Sequence, residues 1–233
     1  MESREQLTEK LRRLTPARVG IGRSGTRLCT DTYLKFQTDY AVAKDAVWNE
    51  ADESIVDAMD FFKVQTCCKN KEEYIIRPDL GRIFSEETNE KIMQQCKCNM
   101  DIQIIAGDGL SAPALRNVRD IYPMLLDGFQ MAGLTVGTPI YVKYARVATM
   151  DKISELLNAR ATVILIGERP GLASDDSMSA YMAYRSSSKK PESQRTVISN
   201  IHPSGLPPLE AGAQIVDTMK LLIEKRASGI FLK

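Results

Sequence analysis

ATVILIGERPG, residues 161–171, is the stretch from which the fold can be read. Its first part is almost entirely apolar and shows no alternation. Such a run is what a strand buried on both faces requires, and such strands belong to parallel sheets covered by helices. The texture then turns polar at Glu168-Arg169-Pro170-Gly171. A charged pair followed by two chain-turning residues marks the carboxyl end of the strand. Ligands of open α/β sheets bind at that edge.

The same pattern extends outward. IQIIAG (102–107) reads as an earlier strand, and residues 111–132 carry helical periodicity that ends at Gly133. TPIYVKYARV (138–147) reads as a second strand and MDKISELLN (150–158) as a helix, with Asp151 near its start. Strand, helix, strand, helix, strand predicts a parallel sheet with right-handed crossovers. SAYMAYR (179–185) and TVISNI (196–201) are β-like, separated by the polar SSSKKPESQ. Pro207 and Pro208 open a last helix that runs to Lys225 and stops near Gly229.

Before about residue 100 the chain reads differently. Leu7, Leu11 and Leu14 recur at helical spacing. Thr30 or Asp31 caps a helix whose apolar face is Tyr33, Phe36, Tyr40, Ala43 and Val47. Residues 51–82 are mixed, with one short helix and an extended piece. FSEETNEKIMQQC (84–96) is helical, with Ser85 as its N-cap. The expected fold is α/β: a helical N-terminal region, 1–98, followed by a Rossmann-like, mostly parallel sheet domain flanked by helices, 99–233.

A chain of 233 residues with 43% hydrophobic content can bury a substantial core. Its 31 basic and 30 acidic residues argue against a nucleic-acid or anionic-membrane surface. No run approaches the roughly 18 apolar residues of a membrane span. MESREQLTEKLRRL lacks the apolar core of a secretory signal. The five cysteines form no disulfide framework, which suits a reducing, intracellular compartment. Their CC and CxC spacing is not that of structural zinc.

Three strand ends share the carboxyl edge: Asp108-Gly109-Leu110-Ser111, Ala145-Arg146-Val147 and Glu168-Arg169-Pro170-Gly171. Singly, each has a plain structural reading, since Asp108 and Ser111 can cap a helix and Glu168 can pair with Arg146 or Arg169. Together they point to a binding cleft. Gly20 to Gly25 form a GxGxxG, the mark of a dinucleotide-binding oxidoreductase when it joins a strand to a helix. Here a helix and Pro16 come before it. His202, the single histidine, has no carboxylate adjacent in sequence to orient it. No phosphate loop, nucleophile elbow or HExxH helix is present, so no complete catalytic constellation is visible.

TPARVGIGRSGTRLCTDTYLKFQTDYAVAKDAV, RPDLGR, IIAGDGLS, VGTPIYVKYARV, LIGERPGL, TVISNIHPSGLPPLEAGAQIV and KRASGI together resemble the light chain of ethanolamine ammonia-lyase. The resemblance covers nearly all the chain from Leu14 onward. It implies a non-catalytic, cofactor-binding subunit, paired with a heavy chain that holds the substrate and most catalytic groups. It implies adenosylcobalamin at the interface of the two chains, where homolysis of its cobalt–carbon bond starts the conversion of ethanolamine to acetaldehyde and ammonia. By the same resemblance, 1–98 contacts the heavy chain and 99–233 faces the cobalamin. Val147, Glu168 and Val197 match cofactor-contacting positions, with Arg146, Asp108 and Ser111 as neighbours. Position 197 is cysteine in some relatives, so no thiol is required of it. Asn200-x-His202-x-x-Gly205 superficially echoes a cobalt-ligating motif, but the expected aspartate is asparagine, and no protein ligand to cobalt is implied. Six heavy–light pairs, and residence in the cytoplasm within an ethanolamine-utilisation microcompartment, are further expectations. The short segment before TPARV makes a packaging helix of the chain's own doubtful. A purely architectural subunit is the competing reading.

Overall fold

The computed structural model describes residues 3–15 and 17–232. In chain order the main elements are α1 (Arg4–Leu14), β1 (Arg23–Ser24), β2 (Arg27–Leu28), α2 (Thr30–Trp48), α3 (Ser54–Asp57) and β3 (Phe62–Gln65). There follow α4 (Lys71–Ile76), α5 (Glu86–Gln95), β4 (Ile102–Gly107), α6 (Val118–Met131), β5 (Ile140–Lys143) and α7 (Thr149–Leu157). The last are β6 (Ala161–Gly167), β7 (Met178–Tyr184), β8 (Thr196–Ile201) and α8 (Pro208–Lys225).

Six strands form one sheet in the order β3-β5-β4-β6-β7-β8. The β3–β5, β5–β4 and β4–β6 pairs are parallel, while β6–β7 and β7–β8 are antiparallel. The fold is therefore the expected α/β with N-terminal helices and a mostly parallel sheet. β4 and β6 are buried along their whole length. Successive side chains point to opposite faces, so one apolar strand feeds two cores. Ala161, Val163 and Leu165 join Ile102 and Ile104 under α6 and α8. Ile164 and Ile166 join Ile105 under α5 and α7. Val118, Ile121, Leu125 and Phe129 recur at helical spacing along α6 and fill the first of these cores.

Several sequence expectations change. The extended piece expected in the mixed region is a strand, β3, and it pairs with β5 inside the same sheet rather than standing apart from it. The sheet thus draws on residues before the expected boundary at 98, and so does α5, which supplies Ile92 to a sheet core. Four positions, FKVQ, offer too little apolar signal for the extended piece to be placed or assigned to the sheet from sequence. Helix α2 already includes Thr30 and Asp31; Cys29 occupies its N-cap and makes no side-chain cap bond. Ser85 does cap α5, accepting from the Thr88 amide at 3.2 Å. The strand expected over 138–147 stops at Lys143, for a reason found at its end.

Helix α2 carries its apolar residues largely in solvent: Leu34 is 58% exposed and Tyr40 54%. Leu7 and Leu11 of α1 are also exposed. Among the described residues no helix is long and apolar enough to cross a membrane.

The contrast between these two kinds of apolar helix is measurable. Phe129→Ala should lower the unfolding free energy in urea by about 3–5 kcal/mol, the range for emptying a packed aromatic site. Leu34→Ala should change it by no more than ~0.5 kcal/mol in the isolated chain.

Candidate functional site

The connection from β4 runs through α6 on one face of the sheet, and that from β5 through α7 on the other. Two neighbouring strands whose loops leave to opposite faces open a crevice between their carboxyl ends. A cleft of about 160 Å³ lies there, walled by Gly109, Ala145, Arg146, Val147 and Glu168, with Tyr74 on one side and Tyr181 on the other.

Asp108 shapes this edge. Its side chain is buried, with Oδ1 accepting from the amides of Gly109 at 2.8 Å and Ala145 at 2.9 Å. Oδ2 accepts from the Tyr144 amide at 2.8 Å. Burial pushes its carboxyl up to about 6, while the amide bonds and the nearby Lys71 ammonium favour the charged form. The carboxylate therefore takes the amides of residues 144 and 145, which a longer β5 would have directed into the sheet. Tyr144 turns into the left-handed region, at φ 57°, and the strand ends.

The loop after β5 is clamped from below as well. Thr66 Oγ1 donates to the Tyr144 carbonyl at 3.0 Å, and the Tyr74 hydroxyl to the Ala145 carbonyl at 2.8 Å. Tyr74 stacks on Tyr144, with ring centres 5.8 Å apart. Arg146 lies over the other aromatic partner, its guanidinium carbon 4.3 Å from the Tyr74 ring centre, and donates to the Tyr74 carbonyl at 2.8 Å. Lys71 Nζ, buried, stands 5.4 Å from the same ring; burial lowers its pKa, and the charges of Asp108 and Glu50 oppose that shift. Arg146 and Val147 are thus presented on a fixed backbone.

Two glycines let the strand ends close up. Gly109 sits at φ 62°, and a Cβ there would fall 2.2 Å from the Gly167 carbonyl oxygen. A Cβ on Gly167 would fall 2.2 Å from the Ser111 carbonyl oxygen. Both contacts are with backbone, which cannot step aside.

Glu168 forms the far wall. One carboxylate oxygen accepts from the Ser177 hydroxyl at 2.8 Å; the other accepts from the Ser179 hydroxyl and from the Asn200 amide at 3.0 Å. A carboxylate offers about four acceptor positions. Three are filled, which leaves capacity for one further donor.

The six expected site residues divide into groups. Arg146, Val147 and Glu168 meet in the cleft. Val197, 43% exposed, pairs across the ladder with Tyr181, which lines the cleft, so it carries the same face of the sheet outward. Asp108 and Ser111 are buried behind the wall. Ser111 donates to the Asp175 carbonyl and ties two loops together. Tyr74, Lys71, Ser177 and Ser179 were not singled out from sequence. KEEYII and DDSMS carry no motif, and only tertiary contact brings them here.

His202 is buried in its own loop, with Nε2 3.0 Å from Asn200 Oδ1. Among the described residues no group of three or more His, Cys, Asp or Glu side chains is placed to hold a metal, and the five cysteines are free. The glycine motif is not at a strand-to-helix junction. Gly25 lies in the turn between the antiparallel β1 and β2, and the Gly20 carbonyl accepts from Arg12 of α1 at 3.1 Å. Pro16 lies outside the described residues. The geometry of a dinucleotide fingerprint is absent from this segment.

Asp108→Asn tests the edge. The amide would set one N–H donor against another, at Tyr144 or at Gly109 and Ala145. The expected loss at pH 7 is about 1–3 kcal/mol, read from the urea midpoint at unchanged m.

The family model described as ethanolamine ammonia-lyase light chain (EutC) matches residues 5–233. The chain is 59% identical over 230 residues to an ethanolamine ammonia-lyase small subunit of Clostridium acetobutylicum, covering 98% of this chain and 95% of that one. It is 49% identical to the small subunit from Clostridium tetani, covering 96% of this chain and 76% of that one. It is 47% identical to the small subunit from Listeria monocytogenes serovar 1/2a, covering 96% and 77%. On these matches, which run along almost the whole sequence, the chain belongs to the ethanolamine ammonia-lyase light-chain family.

Proposed function

We propose that the chain is the light subunit of an adenosylcobalamin-dependent ethanolamine ammonia-lyase, and that its cleft receives one edge of the cofactor while a heavy chain supplies the rest of the site. The observation that carries this reading is Glu168, an acceptor held by three donors on the wall of an open cleft. A volume of about 160 Å³ is far too small for a whole corrinoid and suits an edge of one. The residues fit such a group. A corrinoid rim carries carboxamides and hydroxyls, and Glu168 has a free acceptor position for an N–H or O–H.

Bound there, adenosylcobalamin supplies the cobalt–carbon bond whose homolysis starts the rearrangement of ethanolamine. The light chain's residues orient and enclose. Glu168 accepts from the rim. The backbone at Val147 packs close because Asp108 and Tyr74 hold the loop still. Arg146 borders the same wall, and Val197 extends an apolar surface across β8. Asp108 and Ser111 act through the backbone they secure. His202, already engaged with Asn200, is assigned no bond to cobalt. The substrate and catalytic groups belong to the heavy chain, and this chain is non-catalytic.

The exposed apolar residues of α1 and α2 are the surface assigned to the heavy chain. A large exposed apolar area is the usual mark of an interaction site. Six heavy–light pairs form the assembly, which resides in the cytoplasm within an ethanolamine-utilisation microcompartment.

Ammonia and acetaldehyde release from ethanolamine with adenosylcobalamin should require co-expression of this chain with its cognate heavy chain. Neither chain alone should suffice, and an inactive mixture of two folded, associated chains would overturn the assignment. Glu168→Gln should raise the cobalamin dissociation constant of the complex about tenfold. It should leave the two chains paired; equal cofactor affinity would make the strand-end residues purely architectural. Separately, Leu34→Asp combined with Tyr40→Asp should weaken heavy-chain capture in co-purification by at least about tenfold while circular dichroism stays unchanged.

A further inference from the structure

The strand-end cleft holds more positive charge than its own residues neutralise. Arg146 and Arg169 both line it, together with Glu168. The sequence allows either arginine to pair with that carboxylate, and neither does. Among the described residues no salt bridge joins Arg146 or Arg169 to an acid. Glu168 instead accepts from two serine hydroxyls and the Asn200 amide, all neutral donors. Two cations therefore share the cleft with one carboxylate.

Both guanidiniums have donors to spare. Arg146 gives one N–H to the Tyr74 carbonyl through Nη2 and lies over the Tyr74 ring. Its Nε is closed off from solvent, but Nη1 makes no hydrogen bond among the described residues and stays open. Arg169 is exposed, and its side chain makes no hydrogen bond among the described residues. Its backbone is fixed on either side: the Glu168 amide donates to the Ser177 carbonyl and the Gly171 amide to the Ser174 carbonyl, both at 2.9 Å. The Val147 amide on the same wall also lacks an acceptor among the described residues. It stands just before α7, whose N-cap is Ala148, a residue with no side-chain acceptor to cap the helix. Open N–H groups at a helix start favour an anion.

An unpaired guanidinium gains most from an oxyanion that presents several acceptors to its planar fork. Among the arms and tail of a cobalamin only the phosphodiester of the nucleotide tail is negatively charged; the other arms end in neutral carboxamides. We propose that Arg146 and Arg169 clasp this phosphodiester, with the Val147 amide as a further donor. The assignment presupposes the cofactor reading above and gives the bound corrinoid a direction. Glu168 takes a neutral N–H or O–H of the rim, and the arginines take the anionic tail. The light chain then selects corrinoids that carry a phosphate on the tail over those that lack one. A heavy-chain carboxylate would satisfy the same donors, but it would have to enter a cleft that the cofactor's edge already fills.

The test uses the assembled complex of both chains and three probes: cyanocobalamin, cobinamide and cobinamide phosphate. Cobinamide keeps the ring and its carboxamides but has no phosphate, ribose or base; cobinamide phosphate regains only the phosphate. Binding is read by equilibrium dialysis without turnover. Arg146→Met should raise the cyanocobalamin dissociation constant about tenfold. Arg169→Ala, at an exposed side chain with no contact to lose, should raise it about threefold and serves as the second variant if methionine at 146 disturbs the loop. Cobinamide phosphate should show the same dependence on both arginines, and cobinamide none. Added sodium chloride should weaken cyanocobalamin binding to the natural complex more than to the doubly substituted one.

An equal loss for cobinamide overturns the inference, because the arginines then serve the ring or the packing of the loop. Unchanged cyanocobalamin affinity in both variants also overturns it. If Glu168→Gln weakens binding in that assay, only the assignment of the arginines falls; if it too is silent, the cofactor reading falls with it. Weakened chain pairing with unchanged cobalamin affinity of the assembled complex gives the arginines to a heavy-chain carboxylate and likewise overturns the inference.

Discussion

The carboxylate of Asp108 is the contact on which the carboxyl edge of this sheet depends. It is buried at the end of β4 and grips amides on both sides of the neighbouring crevice. Three N–H donors on one carboxylate are charge-assisted, and each is stronger than a neutral bond. Burial opposes them by disfavouring the charge. The balance fixes where β5 ends, bends Tyr144 into the left-handed region and sets the exit of the chain toward α7. Arg146 and Val147 owe their positions to that bend. The two glycines at β4 and β6 then allow the strand ends to meet at backbone distance.

The two faces of the sheet are covered unequally. Parallel crossovers bring helices with them, which is how α5, α6 and α7 arrive. The antiparallel connections between β6, β7 and β8 bring none. Helix α8 returns to cover only the face shared with α6. On the opposite face Val197 is left exposed beside Tyr181. The uncovered strip runs from the cleft wall at Glu168 outward. The change from parallel to antiparallel pairing therefore creates an open surface beside the strand-order reversal. In the proposed function this surface is the light chain's half of an interfacial cofactor site.

Much of the fold was legible because its signals are local. β4 and β6 announce themselves as unbroken apolar runs, and Ser85 is a cap where it was expected. The antiparallel β7 and β8 lie where their β-branched and aromatic residues suggested. β3 was legible only as an extended piece somewhere in 51–82, because a short edge strand, half exposed, has little periodicity to place it. The end of β5 was misplaced by several residues because the cause lies in another strand. Nothing in TPIYVKYARV reports that Asp108, far away in sequence, will take its amides.

The site divides in the same way. By itself the sequence determined the family, the parallel core and the three strand ends where polar residues interrupt apolar runs, because each is written in contiguous residues. Only the tertiary structure decided which of those residues line the cleft and which hold the frame. Glu168, Arg146 and Val147 reach the cleft, while Asp108 and Ser111 turn inward, and Tyr74 arrives from a helix that carries no motif. The physical reason is that a side chain's role depends on which donors and acceptors surround it. Those neighbours are assembled by strand order and helix packing rather than by position along the chain.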